Sequence, residues 1–255
     1  MATLKTDSQD GVITVTIDRP GKRNALSREV LAELAEIFTA AARDDGLKAA
    51  VVTGAGDKCF AAGGDLKDLG SIRTLDGARA MADGAKQSFE AIRRFPVPVL
   101  AALNGDALGG GAELAVACDF RVFAHHARIG FVQGRLNIST AWGGGVDLMR
   151  LVGPAVGLRL LSMGEMIAGP EAIRIGLGDA TASLGQTLDD LVADFLAPIK
   201  AQAPQALRAF KAMAMAARFG ESRADMLRLE TETFIETWVH DDHWAAAETL
   251  LGGRK

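Results

Sequence analysis

Short, wholly apolar runs closed by glycine recur along this chain and restrict its fold more than any other feature. Ala49-Ala50-Val51-Val52-Thr53 ends at Gly54 and Gly56, and Pro98-Val99-Leu100-Ala101-Ala102-Leu103 ends at Asn104-Gly105. A strand with no polar face must be covered on both sides, the usual condition of a parallel sheet flanked by helices. Helical stretches stand between these runs. Ser27 is placed to cap a helix in which Val30, Leu31, Leu34, Ile37, Phe38 and Ala41 share one face. Ala78 to Arg94 reads as another helix, and a Gly-rich turn opens a third near Gly110. Ahead of them, Val12, Thr14, Thr16 and Asp18 alternate with Ile13, Val15 and Ile17 as a half-buried strand ending at Arg19-Pro20-Gly21. Phe120-Arg121-Val122-Phe123 reads as a further strand. Strands alternating with helices predict an α/β fold. From about Gly157 the chain reads as helical, with little strand signal. In what reads as the last helix, Leu227, Phe234, Ile235, Trp238 and Val239 form an apolar stripe. Earlier helices suffice to cover a sheet, so this stripe is expected to meet another subunit.

The composition narrows the function classes. Net charge is -4 over 255 residues, with no long run of either sign, so the basic footprint of a nucleic-acid binder is missing. No stretch approaches the length of uncharged apolar residues that spans a bilayer, and Met1 to Asp10 lacks a signal-peptide pattern. The expected location is the cytoplasm, with no membrane partner. Cys59 and Cys118, the only two cysteines, lie in apolar stretches and read as buried reduced thiols. No second Cys or His stands at metal-ligand spacing from them.

Two segments combine backbone freedom with a carboxylate: Cys59-Phe60-Ala61-Ala62-Gly63-Gly64-Asp65-Leu66 and Gly105-Asp106-Ala107-Leu108-Gly109-Gly110-Gly111-Ala112-Glu113. Small residues allow a ligand to approach the main chain. At the second segment the glycines run into a helix, whose first N–H groups lack internal partners and carry partial positive charge. That is a place for a developing oxyanion. Glu113, three residues after Gly110, is in phase to reach the same cavity; the alternative is an ordinary Glu in the first turn of a helix. Val51 to Gly56 also suggests the start of a dinucleotide-binding turn, but Cys59 stands where the third glycine would fall and no helix begins there.

Taken together, the segments resemble the crotonase, or enoyl-CoA hydratase/isomerase, superfamily. The likeness begins at Val15 to Leu26 and continues through Phe60 to Leu66 and Gly109 to Ala115. It then reaches Cys118-Asp119 and Trp142-Gly143-Gly144-Gly145. The resemblance implies a spiral of β-β-α repeats over residues 1–200 and a helical trimerisation region over 201–255, assembled as a homotrimer or a dimer of trimers. It implies an acyl-CoA thioester as substrate, with coenzyme A part of that substrate and no separate cofactor or metal. The amides of Gly64 and Gly110 would form the oxyanion hole, with Glu113 as the acid–base group. Coenzyme A would pass Lys22, Arg23 and Ala25 and run along Ala62, Asp65 and Leu66. Lys255 would lie near the nucleotide held by a neighbouring subunit.

The chain departs from the pattern at two points. The second glutamate of the hydratases is matched to Arg135, which stays protonated and cannot act as a base. Arg135 could instead hold a carboxylate on the acyl group. Gly109 to Arg121 and Trp142-Gly143-Gly144 also look like segments of ethylmalonyl-CoA decarboxylases. Trp142 stands in place of the usual proline; with Phe131 and Met149 it is a candidate acyl wall, although core packing explains all three equally well. The expected function is an acyl-CoA enzyme of this family that stabilises a thioester enolate. The alternatives are a decarboxylase of a substituted malonyl-CoA and a non-catalytic acyl-CoA-binding homologue.

Overall fold

The computed structural model describes residues 3–252. Strands β1 (Leu4–Gln9) and β2 (Val12–Ile17) form a hairpin, followed by α1 (Arg28–Ala41), β3 (Ala49–Gly54), β4 (Cys59–Ala61), α2 (Leu66–Leu69) and α3 (Leu75–Arg93). Next come β5 (Val99–Leu103), β6 (Asp106–Leu108), α4 (Gly110–Ala117), β7 (Phe120–Phe123), β8 (Arg128–Gly130) and α5 (Gly144–Met163). Then follow β9 (Ile167–Ala168), α6 (Gly169–Arg174), β10 (Ala180–Thr181), α7 (Leu188–Lys200), α8 (Pro204–Phe219), α9 (Arg223–Trp238) and α10 (Asp241–Gly252).

The strands form a six-stranded sheet in the order β1-β2-β3-β5-β7-β10 and a four-stranded sheet in the order β4-β6-β8-β9. β2, β3, β5, β7 and β10 pair in parallel, as do β4, β6 and β8. From β3 to α5, each turn of the chain thus places one strand in the large sheet, one in the small sheet and then a helix. This is the β-β-α spiral, and the apolar runs at β3 and β5 occupy its buried centre.

Local signals hold where they are strong. The Ser27 hydroxyl accepts the Val30 amide at 3.4 Å, and Val30, Leu31, Leu34 and Phe38 are buried. Both cysteines are free and buried, and burial pushes their thiols up to about 11 at Cys59 and about 12 at Cys118. Weak signals fail. The Gly-rich segments read as turns contain β4 and β6, each only three residues long, too short for alternation to appear. The stretch after Gly157 contains the two-residue strands β9 and β10. The helix bearing the apolar stripe is not the last, since α10 follows it.

α4 is buried over all eight residues and runs from the small sheet into the core. α8 also docks on the core, burying Leu207, Lys211 and Ala216. α9 packs on α8, yet neither α9 nor α10 buries a single residue.

Candidate functional site

The loop before α1 is shaped by residues that take up its backbone bonds. Arg23 and Asn24 both hold left-handed φ values, 53° and 54°. Asparagine tolerates that region better than most residues. The buried Asn24 side chain also accepts the Arg19 amide at 3.1 Å and donates to the carbonyls of Ala55 at 3.0 Å and Cys59 at 2.6 Å. Beyond it, the chain lies along the first Gly-rich segment: the Leu26 amide donates to the Gly63 carbonyl at 2.8 Å, and the Asp65 amide to that of Leu26 at 3.0 Å. The Ala62 amide donates to Arg23 at 3.0 Å.

Between these segments is a groove of about 320 Å³. Lys22, Arg23, Ala25, Ala62, Gly64, Asp65 and Leu66 line it, and so do Gly21 and Lys67. Lys22, Arg23 and Lys67 are exposed and give its mouth three cations. Asp65 offsets part of that charge, lying 3.8 Å from the Lys22 ammonium, but its nearer partner is Arg19. Its carboxylate is 2.9 Å from the Arg19 guanidinium and accepts the Lys67 amide at 3.1 Å, capping α2. Burial opposes its ionisation, but the Arg19 and Lys67 bonds prevail and hold it below the usual carboxylate range.

The groove reaches Gly64, and beyond that residue the second Gly-rich segment comes close. A β-carbon on Gly63, whose φ is +87°, would stand 2.9 Å from the Leu108 carbonyl oxygen and 3.1 Å from the Gly110 nitrogen. Only glycine serves there, on grounds of both conformation and space. Among the described residues, neither the Gly64 nor the Gly110 amide donates to a protein acceptor. The Gly110 amide is the first of α4, where an unpartnered donor carries the positive end of the helix.

Glu113, in the first turn of α4, is 2% exposed. One carboxylate oxygen accepts the amides of Trp142 and Gly144, each at 2.9 Å, and the other accepts Gln133 Nε2 at 2.9 Å. Burial pushes its carboxyl up from the ordinary 4.5, and the Gly144, Trp142 and Gln133 donors offset only part of that rise. Gln133 is itself buried, and its Oε1 has no partner among the described residues.

Trp142 closes this end of the site. Its indole is 6% exposed and meets Phe89 edge-on, with ring centroids 5.7 Å apart. A β-carbon on Gly64 would be 3.3 Å from Trp142 Cη2, and one on Gly110 only 2.8 Å from Cε3. The ring therefore packs directly on both glycines, and removing its surface from water contributes roughly 4–6 kcal/mol. Its backbone is held too. Arg93 donates to the Trp142 carbonyl at 3.0 Å and to Asp147 at 2.8 Å, with all three residues buried.

Comparison with known proteins agrees with this architecture. Residues 7–250 match the enoyl-CoA hydratase/isomerase family. This chain belongs to the enoyl-CoA hydratase/isomerase family. A probable enoyl-CoA hydratase of Bacillus subtilis is 32% identical over 244 residues, covering 96% of this chain and 93% of that protein. A crotonyl-CoA hydratase of Syntrophomonas wolfei is 37% identical over 171 residues, 67% of this chain and 65% of that protein. The crystal structure of an enoyl-CoA hydratase from Bacillus anthracis superposes with a TM-score of 0.91 at 28% identity, covering 99% of this chain and 97% of that one.

Within this family member the expected residues fall into two groups. Those of the CoA path share the groove, while Gly110, Glu113 and Trp142 meet beneath it at the start of α4. Arg135 joins neither group. It is exposed and donates to the Gly164 carbonyl at 2.6 Å. The side chain that faces Glu113 is that of Gln133, two residues earlier in the same 3-10 turn, Gln133–Leu136. Arg135, matched above to the second glutamate of the hydratases, thus points away from Glu113, because the turn aims position 133 inward and position 135 outward. Lys255 lies outside the described residues. Arg19, Lys67, Arg93 and Gln133 were not singled out from sequence. Lys67 adjoins Leu66 and could have been found by proximity, but nothing local marks the other three.

Proposed function

We propose that this family member binds an acyl-CoA thioester and stabilises an enolate at its carbonyl oxygen, with Glu113 moving a proton at the adjacent carbon. The observation that carries this reading is the pair of unpartnered amides at Gly64 and Gly110, on the two segments that approach each other at Gly63. Donors fixed in this way need little reorganisation when charge develops, and one is typically worth about 3–4 kcal/mol. The cations at Lys22, Arg23 and Lys67 suit the phosphates of coenzyme A, and the groove from them ends at Gly64. A raised carboxyl at Glu113 makes it a stronger base than a solvated glutamate.

Gln133 beside Glu113 limits the chemistry. An amide cannot take a proton from water, but its unpartnered Oε1 can accept a hydrogen bond from one. This supports proton transfer with one carboxylate, either a double-bond shift or a hydration in which Gln133 only orients the water. Arg135 is engaged with Gly164, so the decarboxylase alternative loses the clamp that motivated it. A non-catalytic acyl-CoA binder remains the second reading. It is favoured by the three donors already on Glu113. Assembly through α9 and α10, as a homotrimer or a dimer of trimers, is supported by Leu227, Phe234, Ile235, Trp238 and Val239, which are 43–72% exposed.

The test is turnover of crotonyl-CoA, followed by mass analysis, in the native protein and in Glu113→Gln. Loss of the acid–base group should lower turnover by about 10²–10⁴-fold while coenzyme A still binds. Equal turnover in the two proteins would remove Glu113 from the mechanism, and CoA binding without any turnover would favour the second reading.

A further inference from the structure

We infer that Trp142 sets the length of acyl chain this protein accepts, admitting short chains and turning long ones away. The inference rests on the acyl-CoA reading above and deepens it. The groove that starts among the cations at Lys22 and Lys67 does not include Gly110, Glu113 or Trp142 in its walls. It stops at Gly64. What stands beyond Gly64 is an aromatic wall: the Trp142 indole in contact with Gly64 and Gly110, backed by Phe89 at 5.7 Å. Leu69 closes the other flank, its Cδ1 being 2.8 Å from where a Gly64 β-carbon would stand. A carbonyl held by the Gly64 and Gly110 amides therefore has its next few carbons beside the indole.

The ring cannot turn aside easily. Both ends of its backbone are tied, the amide to the Glu113 carboxylate at 2.9 Å and the carbonyl to Arg93 at 3.0 Å. Gly143 next to it holds a φ of +90°, and a β-carbon there would stand 2.7 Å from Arg93 Nη2, so the turn that presents Trp142 is fixed by space as well as by bonds. A wall built this way discriminates by steric refusal of the longer ligand rather than by attraction for the shorter one. Because the same ring touches both oxyanion glycines, its removal should enlarge the pocket without altering the CoA groove.

The experiment is calorimetric titration of the full-length protein with coenzyme A, butyryl-CoA and decanoyl-CoA, saturated esters that a hydration or double-bond shift does not consume. The native protein should bind decanoyl-CoA at least about tenfold more weakly than butyryl-CoA, a gap of about 1.4 kcal/mol. Trp142→Ala should abolish or reverse that ratio while leaving affinity for coenzyme A unchanged. Trp142→Leu keeps part of the volume, so it serves if the alanine variant does not fold, and should narrow the gap. Equal affinity of the native protein for the two esters would overturn the inference alone, as would a ratio unmoved in a folded Trp142 variant. Failure of all three ligands to bind would overturn the acyl-CoA reading and the inference with it.

Discussion

The start of α4 and the α9–α10 arm are both rich in apolar and aromatic residues, but they use them in opposite ways. Every residue of α4 is buried, and Trp142 packs against Phe89 and two glycines. On the arm, Phe234, Trp238, His243 and Trp244 form an aromatic cluster of comparable spacing, with Trp238 to His243 at 4.7 Å and Trp238 to Phe234 at 5.3 Å. Yet Trp238 is 46% exposed and no residue of α9 or α10 is buried. An aromatic cluster therefore does not tell by itself whether it belongs to the core or to an interface. What separates the two among the described residues is burial itself: buried ions surround the first, and α9 and α10 carry none.

The strongest way to break this comparison is to remove one tryptophan from each region. Trp142→Ala should cost about 3–5 kcal/mol in urea unfolding, at any protein concentration. Trp238→Ala should cost about 1 kcal/mol in the monomer, reflecting partial burial, and its larger effect should appear as a changed concentration dependence of the unfolding midpoint. Equal, concentration-independent losses would mean that the arm is ordinary core.

A smaller effect sharpens the role of the buried ions. Arg93→Met removes one of two cations on Asp147, the other being Arg218 at 2.9 Å. A carboxylate stranded completely would cost about 3–5 kcal/mol; with Arg218 retained, about 2–3 kcal/mol is expected from denaturant titration. A loss indistinguishable from zero would show that Arg218 alone satisfies the site.

The smallest effect concerns pH. The Glu113 carboxyl is raised in the folded protein by burial, so folding favours its protonated form. Its contribution is fully present below the ordinary value of 4.5 and is lost as pH rises through the folded value. Relative to Glu113→Gln, the native protein should lose stability as pH increases across that window. A difference that is flat, or of opposite slope, in unfolding curves at several pH values would show that the Trp142 and Gly144 donors outweigh burial.

Legibility in the sequence followed the range of the physical signal. The β3 and β5 runs and the Ser27 cap were readable because each is a local pattern. The groove residues were readable because contiguous motifs carry them. The orientation of the Gln133–Leu136 turn was not, because one residue of offset decides whether an amide or a guanidinium meets Glu113, and letters do not record that rotation. Arg93 was invisible for a different reason. It sits in a helix as an ordinary basic residue, and its task is set by Trp142 and Asp147, some fifty positions away, at separations of 49 and 54 residues.

The buried charges on α8 have one more implication, for where the chain can be shortened. Lys211 lies 2.5 Å from Asp119, and Arg218 reaches Asp147 as well as the carbonyls of Ala117 at 3.0 Å and Val116 at 2.6 Å. Cutting the polypeptide at Lys200 would therefore remove Lys211 and Arg218 from Asp119 and one of the two cations from Asp147, whereas cutting after Phe219 would leave these pairs intact. In energetic terms the detachable tail begins with α9, and α8 belongs with the core at the end of α4.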